Sequence, residues 1–280
     1  MTGVAVVTDS TADLHTLATD YGIEVVPLTI AFGNEQFRDG IDLSMDEFYS
    51  RLQRDPHTPV TAQPPPSAFT AVYKRLLAGG ASGIISLHLS SALSGTYNSA
   101  SLAAKEVDPE RITVVDTRSV SLGVGLVAIG AAENARRGGH LTSIVEQARA
   151  DASKVELYAA IPTLTYIARG GRIGPLRSML GNILKIVPII TLRDGEVAEY
   201  GKVRTFERAV DQVVDIAIAK MGKPGVARCA VLHASASRLA GDVAQRIRDA
   251  VQPALIVVNS VGPTVGTHAG PGAVGVIFIQ

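Results

Sequence analysis

The sequence predicts an α/β protein, with an N-terminal parallel-sheet α/β domain and a C-terminal α+β domain that contains a mixed or antiparallel sheet. In the first half, short β-branched runs alternate with amphipathic segments, as in a parallel sheet covered by helices. In the second half, Asp194-Gly195 separates two strand-like runs and favours a tight antiparallel turn. At 280 residues the chain exceeds the size that one core usually supports, so we expect two domains, residues 1–152 and 153–280.

The first domain is expected to alternate strands and helices. Strands are predicted at residues 4–7, 23–30, 83–89 and 112–115, and helices at residues 14–18, 44–53, 67–78, 97–106 and 120–137. Ser44 with Glu47 forms a capping box, and Ser67 is expected to cap the next helix. The prolines between residues 57 and 66 favour extended backbone there.

The second domain is expected to contain more strands than helices. Strands are predicted at residues 155–161, 187–192, 196–202, 226–233, 255–258 and 273–279, and helices at residues 205–221 and 238–251. Because the turn at Asp194-Gly195 joins neighbouring strands directly, antiparallel pairing is expected in this half.

The composition argues against several classes of protein. Twenty-six basic and twenty-six acidic residues cancel, so no net field favours nucleic acid or an anionic membrane. No apolar run approaches the ~20 residues of a membrane helix and no signal core follows Met1, so we expect a cytosolic protein. The single cysteine, Cys229, lies in an apolar run and is interpreted as a small core residue.

Hydroxyl side chains are concentrated in the loop after the third predicted strand, residues 90–96, Ser-Ser-Ala-Leu-Ser-Gly-Thr. Ligands of open α/β sheets bind at such strand ends, where free N–H groups and the helix dipole favour an anion. Ser94, Gly95 and Thr96 are therefore candidate ligand-binding residues, and the alternative is a simple helix cap. No lysine follows the glycine as in a phosphate loop, and Ala92 replaces the first glycine of a hydrolase nucleophile elbow.

A second polar cluster, Gly-Thr-His-Ala-Gly-Pro-Gly at residues 266–272, precedes the last strand. Because glycines permit tight turns, we interpret it as a loop that holds Thr267 and His268 towards a ligand, the alternative being a structural histidine. As a donor to a carboxylate, His268 would form an ion pair that raises its pKa. No cysteine or histidine lies at ligand spacing from it, so we predict no metal site and no cofactor.

Two arginines are weaker candidates. Arg172 is a candidate anion clamp because its guanidinium group matches a carboxylate or phosphate. It follows Gly170-Gly171, which is also typical of a helix C-cap. Arg204 is interpreted as a surface charge or as a contact to a protein partner.

Six motifs in sequence order resemble the DegV family of bacterial fatty-acid-binding proteins. They lie at residues 9–13 (Asp-Ser-Thr-Ala-Asp), 61–64 (Thr-Ala-Gln-Pro), 91–100 (Ser-Ala-Leu-Ser-Gly-Thr-Tyr-Asn-Ser-Ala), 114–117 (Val-Val-Asp-Thr), 170–173 (Gly-Gly-Arg-Ile) and 267–272 (Thr-His-Ala-Gly-Pro-Gly). Each motif is weak alone, but together they extend over nearly the whole chain. Ala62 departs from the family's Thr-Ser-Gln-Pro and removes one hydroxyl group.

The resemblance implies a fatty-acid carrier with its ligand between two domains. The hydroxyl groups of Thr61 and Ser94 would hold the carboxylate of a long-chain fatty acid such as palmitate, with His268 near the same group. The tail would lie in an apolar tunnel, for which residues 183–190 are candidates, the alternative for this apolar stretch being ordinary core packing. Family members act in lipid metabolism without being enzymes alone, and some present the carboxyl group to a separate ATP-dependent fatty acid kinase.

Two other functions stay open on the sequence. A serine hydrolase or acyltransferase would combine Ser94 and His268 with an acid such as Asp9 or Asp116. A sugar-phosphate binder would use the helix amino terminus after Ser94 together with Arg172.

Overall fold

The computed structural model describes residues 3–177, 186–225 and 227–280 of the chain. The chain divides into two compact units. Unit 1 contains Met1–Thr29 and Ala62–Lys154, and unit 2 contains Ile30–Thr61 and Val155–Gln280.

In chain order, the strands are β1 (Val4–Asp9), β2 (Ile23–Val26), β3 (Thr29–Phe32), β4 (Glu35–Arg38), β5 (Val60–Ala62), β6 (Gly83–His88), β7 (Ile112–Asp116), β8 (Val155–Ala160), β9 (Val187–Arg193), β10 (Glu196–Val203), β11 (Arg228–His233), β12 (Leu255–Ser260) and β13 (Val274–Ile279). The helices are α1 (Thr16–Asp20), α2 (Met45–Arg54), α3 (Pro66–Ala78), α4 (Thr96–Val107), α5 (Leu122–Arg136), α6 (Leu141–Ser153), α7 (Thr165–Arg169), α8 (Phe206–Met221), α9 (Ser237–Val251) and α10 (Pro263–Ala269).

The sheet of unit 1 has the strand order β2-β1-β6-β7, and its pairings are parallel. Every residue of the central strand β6 is buried, as expected for a parallel sheet covered by helices. Val7 and Ile84 of the central strands pack with Phe69 and Tyr73 of α3 in one apolar cluster. The predicted parallel α/β architecture is therefore confirmed.

The main sheet of unit 2 has the order β10-β9-β8-β13-β11-β12. Strands β11 and β12 pair in parallel, and the other neighbours pair antiparallel, so the predicted mixed sheet is confirmed. Asp194 and Gly195 connect β9 to β10 with φ angles of 53° and 82°, and positive φ at both positions is typical of a type I′ hairpin turn. Thr205 caps α8, because its side chain accepts the N–H of Arg208.

Residues 30–61 belong to unit 2, which differs from the predicted division at residues 152 and 153. The reason is long-range packing. Phe48 and Tyr49 of α2 are buried in one cluster with Ile161 and Ile190 from the second half of the chain. In addition, Tyr49 Oη donates a hydrogen bond to the carbonyl of Val261 at 2.9 Å.

The single strand predicted at residues 23–30 is two strands in different sheets. Strand β2 lies in the parallel sheet, whereas β3 lies in a three-stranded sheet of order β4-β3-β5. Pro27 stands between them and has no N–H group to donate to a sheet. The next N–H group, of Leu28, donates to Ser10 Oγ at 3.0 Å. Helix α3 likewise differs from its prediction, since it begins at Pro66 and its N-cap is Pro65, not Ser67.

Within the described residues, no helix is both long and apolar enough to cross a membrane. In the same part of the chain, no group of three or more His, Cys, Asp and Glu residues is placed to hold a metal ion. Cys229 is buried in β11, and burial raises the pKa of its thiol to about 12, so the thiol stays protonated at neutral pH.

Candidate functional site

The loop after β6 carries the predicted hydroxyl cluster of unit 1. It ends at Gly95, the N-cap of the twelve-residue helix α4, so the positive end of that helix dipole lies at this loop. Ser94 Oγ lies 2.9 Å from Thr96 Oγ1 and accepts the N–H of Thr96 at 3.3 Å. Thr96 is fully buried, whereas Ser94 is partly exposed. Ser94 can therefore contact a ligand. The buried Thr96 orients the Ser94 hydroxyl group through its own hydroxyl group and its N–H.

Gly95 packs directly against the side chain of Gln63. Gln63 Nε2 donates to Ser99 Oγ at 3.3 Å, and a Cβ atom added at Gly95 would lie 2.2 Å from Gln63 Oε1. The φ angle of Gly95 is −75°, which any residue adopts. Glycine is therefore required here for space and not for backbone conformation.

Four fully buried polar side chains form a chain of hydrogen bonds beneath residues 90–96, which we call the serine-rich loop. The sequence alone did not predict this chain of hydrogen bonds. Tyr73 Oη donates to Ser86 Oγ at 2.8 Å, Ser86 Oγ lies 2.7 Å from His88 Nε2, and His88 Nδ1 lies 2.8 Å from Asp9 Oδ2. Because Tyr73 donates to Ser86, we assign the Ser86 hydroxyl hydrogen to His88 Nε2 and the imidazole hydrogen to Nδ1, facing Asp9. Each of these polar atoms then has a hydrogen-bond partner.

The Asp9 carboxylate joins the carboxyl ends of β1 and β6. It accepts the N–H of Thr11 at 3.0 Å, the Thr11 hydroxyl and the N–H of Leu89 at 3.4 Å. On the other side, Thr117 Oγ1 donates to the carbonyl of His88 at 2.8 Å. These bonds fix the first residues of the serine-rich loop.

Thr61 and His268 are brought together in unit 2. Thr61 Oγ1 lies 3.3 Å from His268 Nε2, although the two residues are 207 positions apart in the chain. Both side chains are partly buried. Of the predicted ligand-binding residues, Thr61, Arg172, Thr267 and His268 lie in unit 2, and Ser94, Gly95 and Thr96 lie in unit 1.

His268 lies in the last turn of helix α10 and not in a loop as predicted. Pro263 begins the helix and Gly270, with a φ angle of +72°, is its C-cap, so both residues are ordinary helix boundaries. The helix is held tightly, since a Cβ atom at Gly266 would lie 2.8 Å from Tyr49 Oη. A packed helix fixes the direction of His268 more firmly than the predicted loop would.

Burial, together with the smaller effect of the positive charge of Arg172, lowers the pKa of His268 to about 4. The imidazole is therefore neutral at pH 7 in the structure. An anionic carboxylate beside it would act in the opposite direction, which is the rise expected from the sequence. His268 Nδ1 is buried and has no hydrogen-bond partner within residues 3–177, 186–225 and 227–280.

This low pKa predicts acid sensitivity. An imidazole in the unfolded chain titrates near ~6.5, so below that pH the unfolded chain takes up a proton that folded His268 refuses. The stabilisation is fully present above pH ~6.5 and is lost as the pH falls towards the folded pKa of about 4. Between pH 7 and 4, we expect wild type to lose up to roughly 3 kcal/mol more of its free energy of unfolding than His268→Gln.

Urea unfolding at both pH values measures this difference, with exposed His140→Gln as the matched control. An equal loss for wild type and His268→Gln would contradict the assignment.

The other two predicted residues of unit 2 make local hydrogen bonds. The Thr267 hydroxyl donates to the carbonyl of Pro263 at 2.9 Å, and the residue is only 4% exposed. Its hydrogen is therefore used inside α10. Arg172 Nη1 donates to the carbonyl of Gly170 at 2.7 Å and lies near enough to His268 to affect its pKa.

The geometry does not support the hydrolase alternative. The carboxylate of Asp9 is bonded to His88 and Thr11, and that of Asp116 accepts Ser91 Oγ at 2.5 Å. Since His268 Nδ1 has no hydrogen-bond partner among the described residues, the acid–histidine contact of a catalytic triad is missing there.

Two further predictions concern Arg204, as a contact to a protein partner, and residues 183–190, as the lining of an apolar tunnel. Arg204 is exposed, between β10 and α8. Of the predicted tunnel segment, residues 183–185 lie outside the described residues. Ile189 and Ile190 in β9 are buried in the core clusters of unit 2.

The fold and these two clusters define a two-unit α/β protein with partly exposed hydroxyl groups held by buried side chains. The chain belongs to the DegV family: the family model, described as "Uncharacterised protein, DegV family", matches residues 3–280. It is 39% identical over 278 residues to a DegV domain-containing protein of Streptomyces coelicolor. The matched region covers 98% of this chain and 97% of that protein.

Solved structures of the same fold include a DegV family protein from Thermus thermophilus, described as fatty acid binding, with a TM-score of 0.93, 31% identity and 99% of both chains covered. DegV from Bacillus subtilis, described as a fatty acid binding protein, has a TM-score of 0.90 and 29% identity, with 100% of this chain and 99% of that chain covered. The fold class and the resemblance to the family are thereby confirmed.

Proposed function

We propose that this chain binds a long-chain fatty acid such as palmitate, with its carboxylate held by the hydroxyl groups of Thr61 and Ser94 and with His268 supporting Thr61. The observation that carries the proposal is the 3.3 Å contact between Thr61 Oγ1 and His268 Nε2 on partly buried side chains. The similarity to two solved structures described as fatty acid binding supports this class of ligand.

The two ends of such a ligand contribute differently. A buried carboxylate is costly unless hydrogen-bond donors replace the water that it loses, and hydroxyl groups provide such donors. At ~0.8 kcal/mol for each buried CH₂ group, the tail of palmitate contributes on the order of 10 kcal/mol before ordering costs. The tail therefore provides most of the affinity, and the headgroup contacts set orientation and selectivity for the acid. The apolar tunnel that would hold the tail is part of the same proposal.

The proposal makes the chain a carrier in lipid transport or metabolism and not an enzyme alone. Its finer form is that the chain presents the bound carboxyl group to a separate ATP-dependent fatty acid kinase. Arg204, which is exposed between β10 and α8, is the proposed contact for that partner.

Native mass spectrometry of the purified protein tests the binding role. We expect a mass excess of one long-chain fatty acid, its loss on delipidation, and its return at one equivalent of added palmitate. A protein that carries no lipid and takes up no labelled palmitate would refute the proposal. The palmitate-loaded chain, mixed with ATP and a fatty acid kinase, should then yield palmitoyl phosphate. A loaded chain that yields none would remove the partner role and leave the binding role intact.

The two alternatives predict different outcomes. Covalent labelling of Ser94 by a fluorophosphonate would favour the hydrolase, against the geometry of His268. Protection by phosphate esters in a thermal shift, without any response to fatty acids, would favour the sugar-phosphate binder with Arg172 and the amino terminus of α4.

A further inference from the structure

Gly170 and Gly171 follow helix α7 and have different backbone conformations. Gly171 has a φ angle of +72°, and its N–H donates to the carbonyl of Ala168 at 3.1 Å, which closes the end of the helix. Gly170 has a φ angle of −74°, which any residue adopts. The helix end therefore explains the glycine at 171 but not the glycine at 170.

The side chain of His268 explains Gly170. A Cβ atom at Gly170 would lie 1.9 Å from His268 Nδ1 and 2.5 Å from its Cε1, whereas a Cβ atom at Gly171 would meet no atom of the described residues within 4 Å. The imidazole thus lies directly on the bare Cα atom of Gly170. Any side chain at this position would displace the ring.

The same packing occurs in the reverse direction. A Cβ atom at Gly270, the C-cap of α10, would lie 2.2 Å from Cδ2 of Tyr166 in α7. Each of the two short helices therefore ends in a glycine that packs against a ring of the other helix. This reciprocal contact fixes the end of α10, and with it His268.

We propose that Gly170 is a positioning residue of the carboxylate site: its bare Cα atom holds the His268 ring so that Nε2 faces Thr61 and Nδ1 has no hydrogen-bond partner among the described residues. The inference deepens the proposed function and rests on it for the ligand. Since no described residue accepts a hydrogen at Nδ1, the Nε2–H tautomer is the one that leaves no buried donor of this ring unsatisfied there.

This tautomer sets the direction of the hydrogen bonds. His268 Nε2–H donates to Thr61 Oγ1, so the hydroxyl hydrogen of Thr61 is available for the carboxylate. His268 consequently acts through Thr61, and Thr61 makes the direct contact. Because hydrogen bonds to ionised acceptors are about twice as strong as neutral ones, the arrangement favours the acid over its methyl ester.

Gly170→Ala tests the inference, with Gly241→Ala as the matched control. Gly241 lies exposed within α9, and within the part of the chain that the structure describes a Cβ atom there would meet nothing within 4 Å. In the delipidated wild type, ¹⁵N spectra should show His268 protonated at Nε2 and not at Nδ1. In Gly170→Ala we expect changed His268 imidazole shifts, a titration midpoint nearer the ordinary value and an affinity ratio of palmitate to methyl palmitate reduced at least about tenfold. Gly241→Ala should change none of these quantities.

A double-mutant cycle covers the outcome that Gly170→Ala folds poorly. We expect Gly170→Ala to lower Tm by on the order of 5 °C in the wild type, and to lower it little or not at all in His268→Ala, where the clashing ring is absent. An equal Tm loss in both backgrounds, or unchanged His268 resonances in Gly170→Ala, would overturn the inference. A wild type with no preference for palmitate over its ester would instead contradict the proposed function, while the spectra and the cycle would still decide the role of Gly170.

Discussion

Ser94→Ala combined with His268→Ala should weaken the binding of palmitate roughly 100-fold while it changes the binding of methyl palmitate by less than about threefold. The reason is that a hydrogen bond to an ionised group contributes about 1.5–3 kcal/mol, and the variant removes one direct donor and the support of another. Methyl palmitate keeps the contacts of its tail. It has no ionised carboxylate, so it does not lose a hydrogen bond to a charged group in the variant. Calorimetric titration of the delipidated protein with both ligands measures the two affinities.

A matched double variant, Ser153→Ala with His140→Ala, controls for the loss of a serine and a histidine. Both residues are exposed. Ser153 Oγ donates a local hydrogen bond to the carbonyl of Ala150 at 2.7 Å. This control should bind both ligands as the wild type does. An equal loss of acid and ester binding in the Ser94 and His268 variant would contradict the headgroup assignment, because such a loss would point to damage of the tail site.

His88→Leu should lower the free energy of unfolding by about 3–5 kcal/mol. The substitution approximately keeps the volume of the side chain but removes the partner that lies 2.8 Å from the Asp9 carboxylate, where both side chains are 0% exposed. A buried carboxylate that loses its partner retains its desolvation cost without the compensating contact. Urea unfolding followed by circular dichroism measures the change.

Tyr73→Phe provides the comparison for His88→Leu, because it removes the hydroxyl group at the far end of the same chain of hydrogen bonds. Its bond to Ser86 Oγ, at 2.8 Å, joins neutral groups, so we expect a loss of only about 1 kcal/mol. If Tyr73→Phe were as damaging as His88→Leu, the loss in His88→Leu could not be assigned to the Asp9–His88 contact in particular.

Local patterns in the sequence predicted the elements whose structure depends on local chemistry. The β-branched runs gave the central strands, and Asp194-Gly195 gave the β9–β10 hairpin, because a two-residue turn of this kind is determined by its own φ angles. Residues 30–61 were assigned to the wrong part of the molecule, since Phe48 and Tyr49 pack on side chains more than 100 positions later in the chain. No periodicity in a short window records such a partner.

The residues of the candidate site differ in the same way between those that local patterns indicate and those that depend on distant parts of the chain. The pattern of hydroxyl groups and glycines gave Ser94 and His268 as candidates, and the resemblance to the family added Thr61. The structure places Thr61 Oγ1 3.3 Å from His268 Nε2, and the binding role of these residues stays a prediction. His88 was missed because it lies in an apolar strand, and its one signal was that Ser86 and His88 share a face of β6. Gly170 could not be separated from an ordinary C-cap, since the need for space at its Cα atom appears only when His268 is in place.

The placement of residues 30–61 in unit 2 also has a consequence for the order of events during synthesis on the ribosome. Unit 1 has all of its residues once Lys154 has been made, but the partners of the 30–61 segment begin at Val155 and continue to the end of the chain. Until then, the aromatic side chains of α2 have no completed core to enter, and such exposed apolar surface promotes aggregation. The segment is therefore made well before its packing partners, and slow elongation beyond residue 154 would prolong its exposure.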